Sequence, residues 1–231
     1  EIPVSCVTNG AHCRTWMAPS IRLLVDRELG EDWENRPERE VDWQALRRIG
    51  RDELADARRG LKRSLLDFVR KRLEADYQKR HDSPALLART IDRLDENALV
   101  VGFARRFVSY KRPTLLLREL DALKRLAGNA ERPVQFIFAG KAHPADEWGK
   151  RLLQDVFKAS RTEALAGRVV LLEDYDLRMA SNLVRGCDVW LNTPVHLMEA
   201  SGTSGMKAAM NGALNLSVLD GWWAEGHNGK N

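Results

Sequence analysis

Beyond residue 97 the chain alternates short, β-rich apolar runs with longer segments whose apolar residues recur every three or four positions. The runs are 98–103, 134–139, 169–172, 188–191 and 213–218. They are too short for helices and read as strands covered on both faces. The segments 113–126, 146–157, 177–185 and 205–211 read as helices. Strands alternating with helices predict right-handed βαβ units, and so an α/β fold with a Rossmann-like parallel sheet flanked by helices. Ligands of such sheets collect at the carboxyl ends of the strands, which directs attention to the loops after Phe103, Ala139, Leu172 and Leu191.

The first part of the chain has a different pattern. Residues 1–30 mix short apolar runs with turn formers, and Asn9-Gly10 predicts a turn. From about residue 40 to 95 the reading is helical, with breaks expected at Gly50 and Gly60. Leu61, Leu65, Leu66, Phe68, Val69 and Leu73 fall on one face of that helix. The expectation is a loop and helical lead-in over 1–97 and a Rossmann-like domain over 98–231, with no internal repeat.

Composition changes this picture little. With 231 residues, 44% of them hydrophobic and 30% charged, the chain can bury a sizeable core, which excludes collagen-like and wholly disordered classes. The charge is uneven, however. Residues 47–80 hold twelve Lys and Arg against six Asp and Glu, so this window carries +6 while the whole chain is +4. Because the same window is amphipathic, its cations are expected to form the wet face of a helix and not a nucleic-acid surface.

No apolar run approaches the roughly 20 residues that cross a bilayer, and no basic-then-apolar leader opens the sequence. Cys6, Cys13 and Cys187 show no CxxC spacing, and His12, His81, His196 and His227 show no metal-like spacing. A cytoplasmic setting without membrane, disulfide or metal is therefore expected. His143 either lines the cleft or caps a loop. The chain opens on Glu1 and stops in a polar Gly-rich stretch, and it reads as a piece of a longer protein.

Two segments carry candidate chemistry. The loop 104–112 holds Arg105, Arg106, Lys111 and Arg112 at the mouth of the expected sheet. The planar Arg fork and the Lys point charge suit a phosphate group there. A helix start already carries positive partial charge, so cations would cap it poorly. The second segment, 199–212, is a turn of small residues leading into a helix. There Thr203, Ser204 and free N–H groups could hold another anion. It is not a P-loop, since Lys207 is followed by Ala208. Flanked by Met206, Ala208, Ala209 and Met210, Lys207 has its charged form disfavoured, as an amine nucleophile for a Schiff base requires; the alternative is a solvent-exposed helix lysine.

Five stretches then occur in one order: Thr8-Asn9-Gly10, Arg105-Arg106 with Lys111, Phe138-Ala-Gly-Lys-Ala142, Glu173-Asp-Tyr175, and Glu199-Ala-Ser-Gly-Thr-Ser-Gly-Met-Lys207. Together they resemble the α-glucan phosphorylases, the glycogen and maltodextrin phosphorylases. The closing stretch from Asp220 is similar to the shorter bacterial and archaeal branch. Ser204-Gly205 stands where the animal proteins carry Gly-Asn.

The resemblance implies one half of a two-Rossmann (GT-B) glycosyltransferase. Its reaction would be the reversible transfer of a terminal glucosyl unit from α-1,4-glucan or maltodextrin to inorganic phosphate, giving glucose 1-phosphate. It further implies pyridoxal 5'-phosphate held as a Schiff base by Lys207, with Arg105, Thr203 and Ser204 on the cofactor's phosphate and Tyr175 against the cofactor. Arg106 and Lys111 would clamp the substrate phosphate and offset the repulsion between two dianions. Asn9, Glu199, Ser201 and Gly202 would meet the glucosyl hydroxyls.

The resemblance is compatible with a homo-oligomeric parent. The chain alone is expected to be inactive without the other domain. Two rival readings are a nucleotide-sugar glucan synthase-like glycosyltransferase, which has no use for the Schiff-base lysine, and a non-catalytic Rossmann-like module that binds phosphate or sugar phosphate.

Overall fold

The computed structural model describes residues 5 and 7–230. In chain order the elements are α1 (Cys13–Trp16), α2 (Pro19–Leu29), α3 (Arg51–Lys79), α4 (Pro84–Asp92), β1 (Leu99–Ala104), α5 (Leu120–Ala127), β2 (Val134–Ala139), α6 (Glu147–Ser160), β3 (Val169–Leu172), α7 (Leu177–Gly186), β4 (Val189–Asn192), α8 (Thr203–Ala209), β5 (Leu214–Ser217) and α9 (Trp222–Gly226). Each predicted apolar run forms a strand. The five strands make one parallel sheet in the order β3-β2-β1-β4-β5.

Strand periodicity divides the core in two. Val100, Ala104, Ile137, Ala139, Val170 and Leu172 join Leu65, Leu66, Val69 and Leu73 of α3 and Met179, Leu183 and Val184 of α7. The alternate residues Val101, Phe103, Phe136, Phe138, Val169 and Leu171 join Leu123 of α5 and Leu152 and Val156 of α6. Both faces of β1 to β4 are therefore covered, whereas the edge strand β5, contrary to expectation, leaves Leu214 and Leu216 exposed; each fully buried Leu, Ile or Phe contributes roughly 1.5–3 kcal/mol. A third cluster, from Met17 to Ala45, packs α2 against the chain that precedes α3.

Helix α3 lies against the sheet so closely that its cations are not all solvated, contrary to the wet-face expectation. Lys62 Nζ sits 2.7 Å from Asp188 and 3.1 Å from the carbonyl of Ala98. The Arg58 guanidinium donates to the carbonyls of Arg185, Cys187 and Asn211. Asp188 in turn accepts the N–H of Val100 at 2.9 Å. These contacts fasten α3 to the amino ends of β1 and β4, the edge opposite the one where a ligand is expected.

Other departures are local. Gly60 does not break α3, which runs unbroken for 29 residues from its N-cap Gly50. The glycine costs about 1 kcal/mol relative to Ala; burial of four branched residues in the following turns outweighs it. Asn9-Gly10 forms no turn and lies in irregular chain. The segment 113–126 splits into a 3₁₀ stretch, Leu115–Glu119, followed by α5. The helix expected over 205–211 starts two residues earlier, at Thr203, so Lys207 lies in its second turn and not its first. Gly102, midway along β1, is required by packing: a Cβ there would lie 2.4 Å from Cys187 Sγ. Cys187 is thus a small core residue.

No helix among the described residues is long and apolar enough to cross a membrane.

Candidate active site

Successive strands run outward from β1 to β3, and the chain then returns to the other side of β1 to lay down β4 and β5. This reversal leaves a crevice outside the carboxyl ends of β1 and β4, where two loops diverge. Arg105, the first residue beyond β1, reaches across it and donates to Oδ1 of Asn192, the last residue of β4. The amide of Asn192 continues the chain of contacts to Ser217 Oγ, 2.8 Å away at the end of β5.

The four cations of the 104–112 loop have separate environments. Arg105 and Lys111 are both buried and share one carboxylate, with Arg105 Nη2 and Lys111 Nζ each 2.8 Å from Glu199 Oε2. Burial pushes the Arg105 guanidinium below its usual range, and the Glu199 charge opposes that shift. Lys111 Nζ also lies 4.8 Å from the centre of the Tyr110 ring. Arg112 adopts a left-handed conformation (φ 48°) and donates to the carbonyls of Thr193 and Pro194, at 2.7 and 2.8 Å. It ties the two loops together and does not face the crevice as an anion ligand. Arg106 is exposed and has no hydrogen-bond or ion-pair partner among the described residues.

The turn 199–204 forms the facing wall. The N–H of Glu199 donates to Asp220 Oδ2 at 3.0 Å, which anchors the turn to the chain beyond β5. Gly202, at φ 78°, is the N-cap of α8, and a side chain there would meet Glu199 and Arg105. Ser201 Oγ accepts the N–H of Asn9 at 3.0 Å, which brings the amino-terminal segment to the rim. Arg105, Arg106, Lys111, Asn9 and the whole 199–204 turn line one pocket of about 440 Å³. Its wall holds three cations against a single carboxylate, so its field favours an oxyanion.

Lys207 lies next door. It lines a second pocket, of about 350 Å³, with Tyr175, Trp16, Leu177, Ala180 and Val184. Ser204 lines both pockets; its Oγ accepts the indole N–H of Trp190 at 3.2 Å. The Lys207 ammonium stands 3.9 Å from the centre of the Trp16 ring. Burial alone pushes the Lys207 amine down and is the main cause that pushes the Tyr175 hydroxyl up. The exposed-lysine alternative does not hold, since Lys207 is half-buried between an aromatic and an apolar wall.

Nine of the eleven residues given a role by the sequence resemblance thus share the cation pocket: Asn9, Arg105, Arg106, Lys111, Glu199, Ser201, Gly202, Thr203 and Ser204. The other two, Tyr175 and Lys207, share its neighbour. The sequence reading missed Trp16, Tyr110, Asn192 and Asp220, and it missed that Glu199 neutralises two of the cations. Polar residues closing a strand, as Asn192 closes β4, were the one available signal. His143 caps its own loop, with Nδ1 accepting the N–H of Ala145 at 3.1 Å. Trp222 and Trp223 pack edge to face against each other. Among the described residues, no group of His, Cys, Asp and Glu is arranged to hold a metal ion.

This geometry has counterparts among known proteins. Residues 3–226 match the carbohydrate phosphorylase family. The whole chain is 46% identical to part of the maltodextrin phosphorylase of Thermococcus litoralis and 44% identical to part of the glycogen phosphorylase of Aquifex aeolicus. It is 45% identical to part of the glycogen phosphorylase of Mycobacterium tuberculosis. The chain spans 27%, 33% and 26% of those three proteins, respectively.

Proposed function

Because this chain belongs to the carbohydrate phosphorylase family, we propose that the protein containing it reversibly transfers the terminal glucosyl unit of an α-1,4-glucan to inorganic phosphate, releasing glucose 1-phosphate. The observation that carries this reading is the shared Ser204 wall. An anion-attracting pocket and a pocket holding a partly desolvated amine abut on one side chain.

The residues present fit pyridoxal 5'-phosphate. Trp16, Tyr175, Leu177 and Val184 give flat and apolar walls for a ring, and Lys207 offers an amine whose neutral form is favoured by burial. Thr203, Ser204 and Arg105 would hold the cofactor's phosphate, and Lys207 would hold the cofactor covalently. When bound, the group supplies a phosphate that exchanges a proton with the substrate phosphate.

The chain's own residues perform the rest. Arg106, which has no carboxylate partner among the described residues, and Lys111 bind the substrate phosphate and offset the repulsion between neighbouring dianions. Charge of this kind, fixed before the reaction, contributes roughly 2–4 kcal/mol per group at the transition state. Asn9, Glu199, Ser201 and Gly202 orient the glucosyl unit across the rim. The remainder of the full-length protein closes the cleft and excludes water. The 231 residues alone are therefore inactive, and glucose 1-phosphate released by the isolated chain would overturn that point.

The test is an absorption spectrum of the full-length protein before and after borohydride treatment, followed by peptide mass analysis. A pyridoxal band, with the reduced adduct on the peptide containing Lys207, is the expected result. A protein with neither, active instead on a nucleotide sugar, would be a glucan synthase.

A further inference from the structure

Behind Lys207 lies a buried amide that the reaction does not itself require. Asn211 is fully buried, and each hydrogen-bonding atom of its side chain is engaged. Its Oδ1 accepts the N–H of Ala18 at 2.7 Å. Its Nδ2 donates to the carbonyl of Trp16 at 2.9 Å and to the carbonyl of Lys207 at 2.8 Å. The main-chain carbonyl of Asn211 is held in turn by Arg58 of α3, at 2.9 Å.

One side chain therefore fastens the lysine's own backbone to the backbone of the residue whose indole covers the lysine ammonium. The two fastened residues are 191 positions apart in sequence, so nothing local holds them together. An Asn supplies this junction well: with two donors and one acceptor in a plane, it pairs with two carbonyls and one N–H at once. Burial raises what is at stake, since each group left unpaired would carry its desolvation penalty.

We propose that Asn211 is a positioning residue for Lys207: by clamping Trp16 over the amine, it sets how far water reaches Lys207 and so how much of the amine is uncharged at neutral pH. This rests on the reading of Lys207 as the reactive amine. The other titratable groups lining the amine's pocket are Tyr175 and Asp176, from the loop after β3; outside it, Arg185 of α7 donates to the carbonyls of Thr15 and Trp16. Burial is the one cause that shifts the Lys207 amine, and the Asn211 side chain bonds to Ala18, Trp16 and Lys207 and to none of these three groups.

The experiment is competitive acetylation of the full-length protein, first freed of pyridoxal phosphate, across a pH series, read lysine by lysine by peptide mass spectrometry, with a parallel pyridoxal phosphate titration read by absorbance. Asn211→Ala is expected to slow acetylation of Lys207 at neutral pH by roughly tenfold, as the amine regains water and holds its proton to higher pH. Asn211→Asp, which keeps the shape but loses both N–H donors, serves if the alanine variant does not fold.

Gln135→Ala is the matched control. That amide is equally buried and, among the described residues, bonds only to the backbone of Asp95, so its loss lowers the melting temperature without moving the Lys207 profile. Trp16→Ala should reproduce the Asn211 effect, and combining the two should add little further. An Asn211 variant whose Lys207 profile matches that of Gln135→Ala would overturn the proposal. Absence of pyridoxal binding by the unaltered protein would overturn the functional reading instead and leave the acetylation result standing.

Discussion

The Lys111 ammonium lies 2.8 Å from the Glu199 carboxylate, 88 residues away in sequence, and both side chains are at most 8% exposed. The same carboxylate also takes Arg105. Two buried cations thus depend on one acid, and the pairing has consequences for both stability and ligand binding. Removing one member of a buried ion pair strands the others.

Glu199→Gln should therefore lower stability by about 3 kcal/mol, measured by denaturant unfolding. Inorganic phosphate should recover more of that loss in the variant than it adds to the unaltered protein, because an oxyanion binding only the folded state stabilises it by mass action. Equal phosphate-induced shifts in melting temperature for the two proteins would show that Glu199 and phosphate do not share these cations.

The pH dependence of folding offers a separate check on Lys207. Burial holds its amine below the ordinary 10.5, so the unfolded chain binds more protons than the folded one between the two values. Stability attributable to this residue therefore rises with pH across that window, and the penalty of carrying the charge is complete below it. Lys207→Met lacks the penalty. The variant should exceed the unaltered protein in stability by the largest margin at neutral pH, and the margin should close as pH approaches 10.5. A margin that stays constant over that range would mean the lysine is as solvated as in the unfolded chain.

The sheet was legible in the sequence because buried strands are mostly apolar, and in a run such as Val134–Ala139 only Gln135 interrupts the apolar residues. Helix ends were less so. Gly60 looked like a break because propensity is local, whereas its helix is held by Leu65, Leu66, Val69 and Leu73 packing on a sheet drawn from distant sequence. The candidate site divides in the same way. Its cations and small-residue turn were visible as local concentrations of one chemistry. Its pairings, Arg105 with Asn192 and Trp16 with Lys207, join residues 87 and 191 positions apart and left no periodic trace. Asn211 stood four residues after Lys207, a spacing that allows a side chain to reach back to a helix carbonyl; the contact to Trp16 had no such cue.

Gly102 tests the fold without touching the site. A methyl group there would lie 2.4 Å from the fully buried Cys187 sulfur and 3.3 Å from the Trp190 ring. Gly102→Ala should cost about 1–3 kcal/mol by overpacking. Because the closest obstacle is a single sulfur atom, Gly102→Ala with Cys187→Ala should be more stable than Gly102→Ala alone. Simple additivity of the two losses in urea unfolding would mean that the backbone, and not the sulfur, resists the methyl group.

Arg106 separates cofactor from substrate. It lines the cation pocket, is exposed, and has no carboxylate partner among the described residues, so its removal strands no buried charge. In the full-length protein, Arg106→Ala should keep the pyridoxal absorbance and the melting temperature essentially unchanged. The guanidinium's share of phosphate binding should disappear, raising KM for inorganic phosphate and lowering kcat/KM by about 10²-fold or more. Lys207→Ala should remove absorbance and activity together. If Arg106→Ala instead lost the pyridoxal band while its phosphate KM stayed normal, Arg106 would belong with Arg105 on the cofactor, and the substrate phosphate would rest on Lys111 without it.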